Sequence, residues 1–380
     1  DLGEQAVPAI VLAIHWLKTQ KAAPEASFVF DPLLARQDLG EQAIPAIDLA
    51  IHWLKAQKAA TEAQFVFNPL LARQDLGEQA VPAIVLAIHW LKTQKAAPEA
   101  RFVFDPLLAR QDLGEQAVPA IDLAIDWLKT QKAAPEARFV FNPLLARKGL
   151  GEQALPAIVL AIDWLKAHKA APEASFVLDS LLARKGLGEQ AVPAIDLAID
   201  WLKVFKKEFF AFYVLHQLLD RKDLAETTQD VARIATSWLG VFYSHKQASN
   251  VYYNLFPLIS PDQCLREIIP LALKWLGKNA ALPNARFVFN RLLNLSILPD
   301  SDWIYASTTA IGWLHQHKRM DHRDIMYTAL LSRPSLLKKE DLHWILEQAE
   351  DWLRSPPPNM PEPAKLREAL ARLKKGDAQQ

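Results

Sequence analysis

The sequence predicts an all-α solenoid, a stack of about ten helical hairpins. Three observations predict it: a 37-residue period, apolar residues at helical spacing inside each period, and no run of alternating apolar and polar residues. The stretch Asp1-Leu2-Gly3-Glu4-Gln5-Ala6 returns, with small changes, at Asp38, Asp75, Asp112, Gly149 and Gly186. The first and third copies differ only at Ser27 against Arg101. Trp16, Trp53, Trp90, Trp127, Trp164, Trp201, Trp238 and Trp275 keep the same step, and Trp313 and Trp352 continue it at spacings of 38 and 39. That makes ten repeats, six nearly identical and four diverged.

Within a repeat, Ile10, Ala13, Ile14 and Leu17 fall on one helical stripe, which Leu12 and Trp16 widen. Pro8 lies in the first turn, where a missing N–H costs nothing. Lys21-Ala22-Ala23 is the expected turn. Pro24 opens a second helix, running to about Arg36, that buries Ala26, Phe30, Leu33 and Leu34. Pro32 is awkward there, because an interior proline removes a hydrogen bond and crowds the preceding turn. Two readings stay open: a kinked helix, or one restarted with Asp31 as its N-cap. A hairpin of this size cannot cover its own apolar face, so neighbouring copies must cover it.

The expected organisation is residues 1–204 as six near-identical repeats and 205–355 as diverged ones. Residues 356–380 follow as a proline-rich breaker, a capping helix with Leu366, Leu370 and Leu373 on one side, and a frayed tail. The chain starts at Asp1 rather than Met, which reads as a segment of a longer protein. One cysteine, Cys264, excludes an internal disulfide framework and suits a reducing, cytoplasmic setting. No apolar run reaches the roughly 18 residues of a membrane span. Formal net charge is zero, so nucleic acid is not expected as a partner, since its binders usually carry a basic face.

The near-identical copies show where variation is admitted. Position 11 of the repeat holds Val11, Asp48, Val85, Asp122, Val159 and Asp196, while position 15 holds His15, His52, His89, Asp126, Asp163 and Asp200. With position 19 they form an i, i+4, i+8 stripe on the first helix. Positions 27 and 31 of the second helix vary too: Ser27, Gln64, Arg101, Arg138 and Ser175, then Asp31, Asn68, Asp105, Asn142 and Asp179. Either these positions form a tunable recognition surface, or duplication has left changes only where packing tolerates them. The stripe at 11, 15 and 19 is expected to line the concave groove. Aromatic residues Phe205, Phe209, Phe210 and Tyr213 mark a second candidate region, as a binding patch or as the junction of two repeat types.

Catalysis finds no support. The histidines recur about 10 Å apart, too far to share a metal ion. The carboxylate pairs Asp122 with Asp126 and Asp196 with Asp200 have no nucleophile beside them, no glycine-rich phosphate loop is present, and no cofactor is implied.

Trp-Leu closing one helix and Phe-Val-Phe-x-x-Leu-Leu in the next resembles tetratricopeptide-like repeats, although the period is 37 rather than 34 and the Gly-Tyr and Ala-Phe pattern is missing. The near-identity of the copies is similar to tandem helical arrays at the C-termini of bacterial NLR-like NTPases and related conflict-system proteins. That resemblance implies a sensor for a protein ligand, with a phage component as one class; a modular nucleic-acid-binding solenoid and a self-assembling scaffold are the alternative readings of the array. It also implies oligomerisation through N-terminal domains outside this sequence.

Overall fold

A computed structural model describes residues 6–20, 22–57, 59–317, 323–354 and 363–377. The described residues are helical hairpins in tandem with no strand among them. They form two compact lobes, Asp1–Trp201 and Leu202–Gln380.

In the first lobe the first helices of successive repeats are α1 (Ala6–Thr19), α3 (Ala43–Gln57), α5 (Ala80–Thr93), α7 (Ala117–Thr130), α9 (Ala154–Ala167) and α11 (Ala191–Phe205). The second helices are α2 (Ser27–Leu34), α4 (Ala63–Ala72), α6 (Arg101–Ala109), α8 (Arg138–Ala146) and α10 (Ala174–Leu182). A short 3-10 turn such as Gly40–Gln42 leads into most first helices. Its glycine has φ near +54°, a left-handed value that a side chain resists, and Ala225 takes the same place in the next lobe at φ 47°. Ile10, Ile14, Leu17, Ala26, Phe30, Leu33 and Leu34 are buried as their spacing predicts.

Two sets of hydrogen bonds join each repeat to the one before it. The indole N–H of Trp53, Trp90, Trp127, Trp164 and Trp201 donates at 2.9 Å to the carbonyl of Ala23, Ala60, Ala97, Ala134 and Ala171 respectively. These tryptophans are almost fully buried, and Phe30, Phe67, Phe104 and Phe141 lie 5.8–6.0 Å from the next repeat's indole. On the opposite edge Arg73 Nη1 donates to Leu34 O at 2.8 Å and Arg36 O at 2.6 Å, and Arg110 repeats this onto Leu71 and Arg73. Arg73 also grips Asp75 with two parallel bonds of 2.8 and 2.5 Å, as Arg110 does Asp112. In the fifth repeat that aspartate is Gly149. Arg147 still reaches Leu108 O and Arg110 O, but its Nε has no hydrogen-bond partner and burial lowers its pKa.

Both open readings of Pro32 are settled against a restart. Each of α2, α4, α6 and α8 runs as one helix through its proline, and Asp31 caps nothing. The lost bond is tolerated because neighbouring second helices surround this stretch; Pro69 and Pro106 are buried. Second helices pack more closely on each other than first helices do, so the first lobe closes toward the second-helix side. Small residues at the contact, such as Ala63 and Val66, permit that approach. The groove-lining expectation for positions 11, 15 and 19 is therefore corrected: that stripe lies on the outer side.

The second lobe keeps the indole staple, with Trp238, Trp275 and Trp313 donating to Glu208, His245 and Leu282 carbonyls at 3.2, 2.7 and 2.8 Å. Its final helix, Ala364–Asp377, lies against Arg323–Leu330, with Leu366 and Leu370 buried and Leu373 half-buried. The expected breaker at 355–358 lies outside the described residues, as does the frayed end beyond 377.

Replacing Trp127 by Ala should cost about 3–5 kcal/mol, the usual range for emptying a large core site. Hydrogen exchange should quicken chiefly in the third and fourth repeats; uniform loosening of the whole array would contradict the stapled-neighbour picture. Gly149→Asp should restore the missing carboxylate and stabilise by about 1 kcal/mol, the upper range for a pair partly open to solvent. A thermal melt reads this directly.

Candidate ligand-binding faces

The exposed side of the second helix follows from its buried side. With Ala26, Phe30, Leu33 and Leu34 turned inward, positions 28, 31 and 35 turn out. Position 28 is aromatic in every near-identical copy: Phe28, Phe65, Phe102, Phe139 and Phe176 are 40–70% exposed. Leaving a phenylalanine in water at each repeat forgoes about 1.5–3 kcal/mol of burial apiece, so packing alone does not explain the row. The rings are dressed by neighbours. Phe28 and Phe65 lie 6.3 Å apart, Arg101 sits 4.5 Å from the Phe102 ring and 5.9 Å from Phe139, and Arg138 lies 4.6 Å from Phe139.

The variable positions 27 and 31 bracket this aromatic. Ser27 and Ser175 turn inward and donate to Pro24 O and Pro172 O at 2.8 Å. Gln64 is buried with its Oε1 unpartnered, and Arg101 Nε is also unpartnered, so position 27 carries unmet hydrogen-bonding capacity beside the rings. At position 31, surrounding protein raises the pKa of Asp105 although the residue is open on one side. Positions 31 and 11 alternate together: repeats with Asp31, Asp105 or Asp179 have Val11, Val85 or Val159, and those with Asn68 or Asn142 have Asp48 or Asp122.

The second lobe builds the same face differently. Tyr253, Arg286, Phe287, Asn290, Ile325 and Met326 line a groove. Arg286 lies 4.8 Å from the Phe287 ring, and Arg291 stacks 4.1 Å from Tyr253 while its Nε donates to Tyr253 O.

Among the residues singled out from the sequence, Val11, Asp48, Val159, Asp196, His15, His52, His89, Asp126, Asp163 and Asp200 are exposed, and Val85 and Asp122 are half-buried. They share the outer first-helix face with an apolar row at position 7. Asp126 accepts from Lys129 at 2.8 Å and Asp163 from Lys166 at 2.9 Å. Each first helix brings one residue at position 15, so the histidines stay separate. Phe205 packs on Phe210 at 5.6 Å, and Phe209 on Phe242 and His245 at 5.9 and 4.5 Å, which is the geometry of a packed turn. Tyr213 is 45% exposed and stands at position 28 of its repeat. The row at position 28 escaped the comparison of copies because it does not vary. Its signal was angular, an invariant aromatic set off the buried stripe.

No protein-family model matches the chain, and no curated protein matches it. A solved structure that matches is a Puf4 RNA-binding domain bound to the HO endonuclease RNA 3′ UTR recognition sequence. It is 16% identical, covers 89% of this chain and 95% of its own, and has a TM-score of 0.38. The expectation that nucleic acid is not a partner is corrected here. That expectation weighed only the total charge, whereas the second-helix face sets Arg101 and Arg138 on aromatic rings. No described helix is long and apolar enough to cross a membrane.

The shift at Asp105 has a definite sign. A carboxyl with a raised folded pKa favours folding below its unfolded value and loses that contribution as pH rises through the folded one. Asp105→Asn should therefore raise the melting temperature at pH 7, with the gain vanishing below about pH 3.8. Asp75 and Asp112, lowered chiefly by hydrogen bonds from Arg73 and Arg110, act oppositely: their contribution is present above 3.8 and fades as pH falls further. An equal gain for Asp105→Asn at both pH values would contradict the assignment.

Proposed function

We propose that the second-helix face is a recognition ladder for a single-stranded nucleic acid, each repeat offering one aromatic platform beside the variable position 31, with Arg101 and Arg138 adding position 27 in the third and fourth repeats. The observation that carries this reading is the exposed phenylalanine of each copy, bracketed by Ser, Gln or Arg at position 27 and Asp or Asn at position 31. Bases stack on aromatic rings whatever their sequence, at about 1–3 kcal/mol each. Arginine, glutamine and asparagine are the side chains that pair with base edges in two-point fashion. The stacked arginines add a flat cationic surface beside the rings. Because few cations face outward here, affinity rests on stacking, and the salt dependence should be shallow. On this reading the chain is a binding module with no chemistry of its own.

A second reading has its own observation. Glu25, Glu62, Glu99 and Glu136 begin the same helices, and Arg101 lies 4.0 Å from Glu136. A face of phenylalanines edged by carboxylates also suits an extended protein segment carrying apolar and basic side chains, which is the sensor role implied by the likeness to NLR-like arrays.

Fluorescence anisotropy with mixed-sequence single-stranded RNA and DNA separates the two. Binding should survive a rise from 50 to 200 mM salt with a small loss. Phe102→Ala and Phe139→Ala should each weaken it by roughly 5- to 150-fold, the equivalent of about 1–3 kcal/mol. Arg101→Gln should change the preferred base at one position. Failure of every oligonucleotide to bind would remove the nucleic-acid reading and leave the protein ligand.

A further inference from the structure

We propose that the first-helix face of residues 7–200 pairs with the same face of a second copy of this chain, on the side away from the ladder. The two arrays run in opposite order about a twofold axis parallel to the first helices, between the third and fourth repeats.

The apolar part of this surface is continuous. Val7, Ile44, Val81, Val118, Leu155 and Val192, one per repeat, are each 58–68% exposed. Isolated exposed apolar residues are ordinary, but a row in register over six repeats is an uncovered ridge. It lies on the outer side of the lobe, so it serves no groove. The flanking charges identify what covers it. At position 15 the first three repeats hold His15, His52 and His89, and the next three hold Asp126, Asp163 and Asp200. Reversing the order of repeats brings His15 to Asp200, His52 to Asp163 and His89 to Asp126. An imidazole N–H can donate to a carboxylate in either protonation state.

Position 11 obeys the same operation. Val11 meets Asp196, Asp48 meets Val159, and Val85 meets Asp122, so no two carboxylates face each other. At position 7, valine meets valine twice and Ile44 meets Leu155. Turning one array about its own long direction would set position 7 against position 15, placing the apolar ridge on charge. Only the reversed order satisfies all three rows, and it makes the interface isologous, as twofold dimers require. The same operation sets Lys92 against Lys129, Lys55 against Lys166 and Lys18 against Lys203; Asp126 and Asp163 already hold Lys129 and Lys166, which reduces that opposition. Because this face is the outer one, contact is densest at the third and fourth repeats, on Val81, Val118, His89 and Asp126.

Sedimentation equilibrium on the full 380-residue chain tests this without any ligand. The wild type should form a dimer over the micromolar range. Val81→Asp with Val118→Asp should abolish it with an unchanged thermal melt. Two further variants keep the test sound should that pair disturb folding. One carries His15→Asp, His52→Asp and His89→Asp; the other carries Asp126→His, Asp163→His and Asp200→His. Every substitution installs a residue that another copy already holds at that position. Each variant alone should dimerise at least about tenfold more weakly than wild type. An equimolar mixture should recover wild-type association as a heterodimer, since an all-aspartate row then faces an all-histidine row. A wild type that stays monomeric up to about 100 µM, or a mixture that fails to recover, overturns the proposal.

Discussion

The stack depends on a hydrogen bond made in each repeat from the second to the ninth, from the tryptophan indole of one hairpin to the turn carbonyl of the hairpin before it. The bond fixes the step, because donor and acceptor stay 30 residues apart from Trp53 through Trp275. The ring also fills the space under that turn, so one side chain supplies both apolar burial and direction. The arginine set does the same on the opposite edge, where Arg73 and Arg110 satisfy carbonyls at the ends of the preceding second helices. A solenoid has no long-range contacts to correct an error in stacking, so a polar group that must find its partner in the next repeat is what holds the register.

Once the register is held, the two outer faces are free to differ. The second helices are short and meet through alanine, valine and proline, which draws them together and sets their exposed rings in a row. The first helices are longer and carry the bulky indoles at their inner side, which keeps them apart. Curvature, the aromatic row and the apolar ridge are thus three consequences of which side chains lie between neighbouring helices.

Much of this was legible in the sequence. Period, hairpin composition and buried stripes follow from spacing alone, and Ile10, Ile14, Phe30 and Leu34 are buried where the pattern puts them. The fate of Pro32 was not legible, because a helix supported on both sides by its neighbours outlasts the local preference against proline. Nor was the side toward which the array closes, since that depends on interhelical distance rather than on periodicity. Comparing copies drew attention to residues that change, whereas Phe28 and its equivalents are constant and needed an angle, not a difference, to be noticed. For Phe205, Phe209 and Phe210, composition left a binding patch and a junction of repeat types both open, and their rings lie against each other and against Phe242 and His245.

The joint alternation of positions 11 and 31 reaches beyond any single hairpin. Over the first five repeats valine outside goes with aspartate inside, and aspartate outside goes with asparagine inside, an alternation whose unit is two hairpins, or 74 residues. Adding or removing one such block keeps positions 11 and 31 in step. An exchange out of phase sets two like repeats side by side and breaks the pattern on both faces together. The ladder can grow by such pairs without redesign of the stack that carries it.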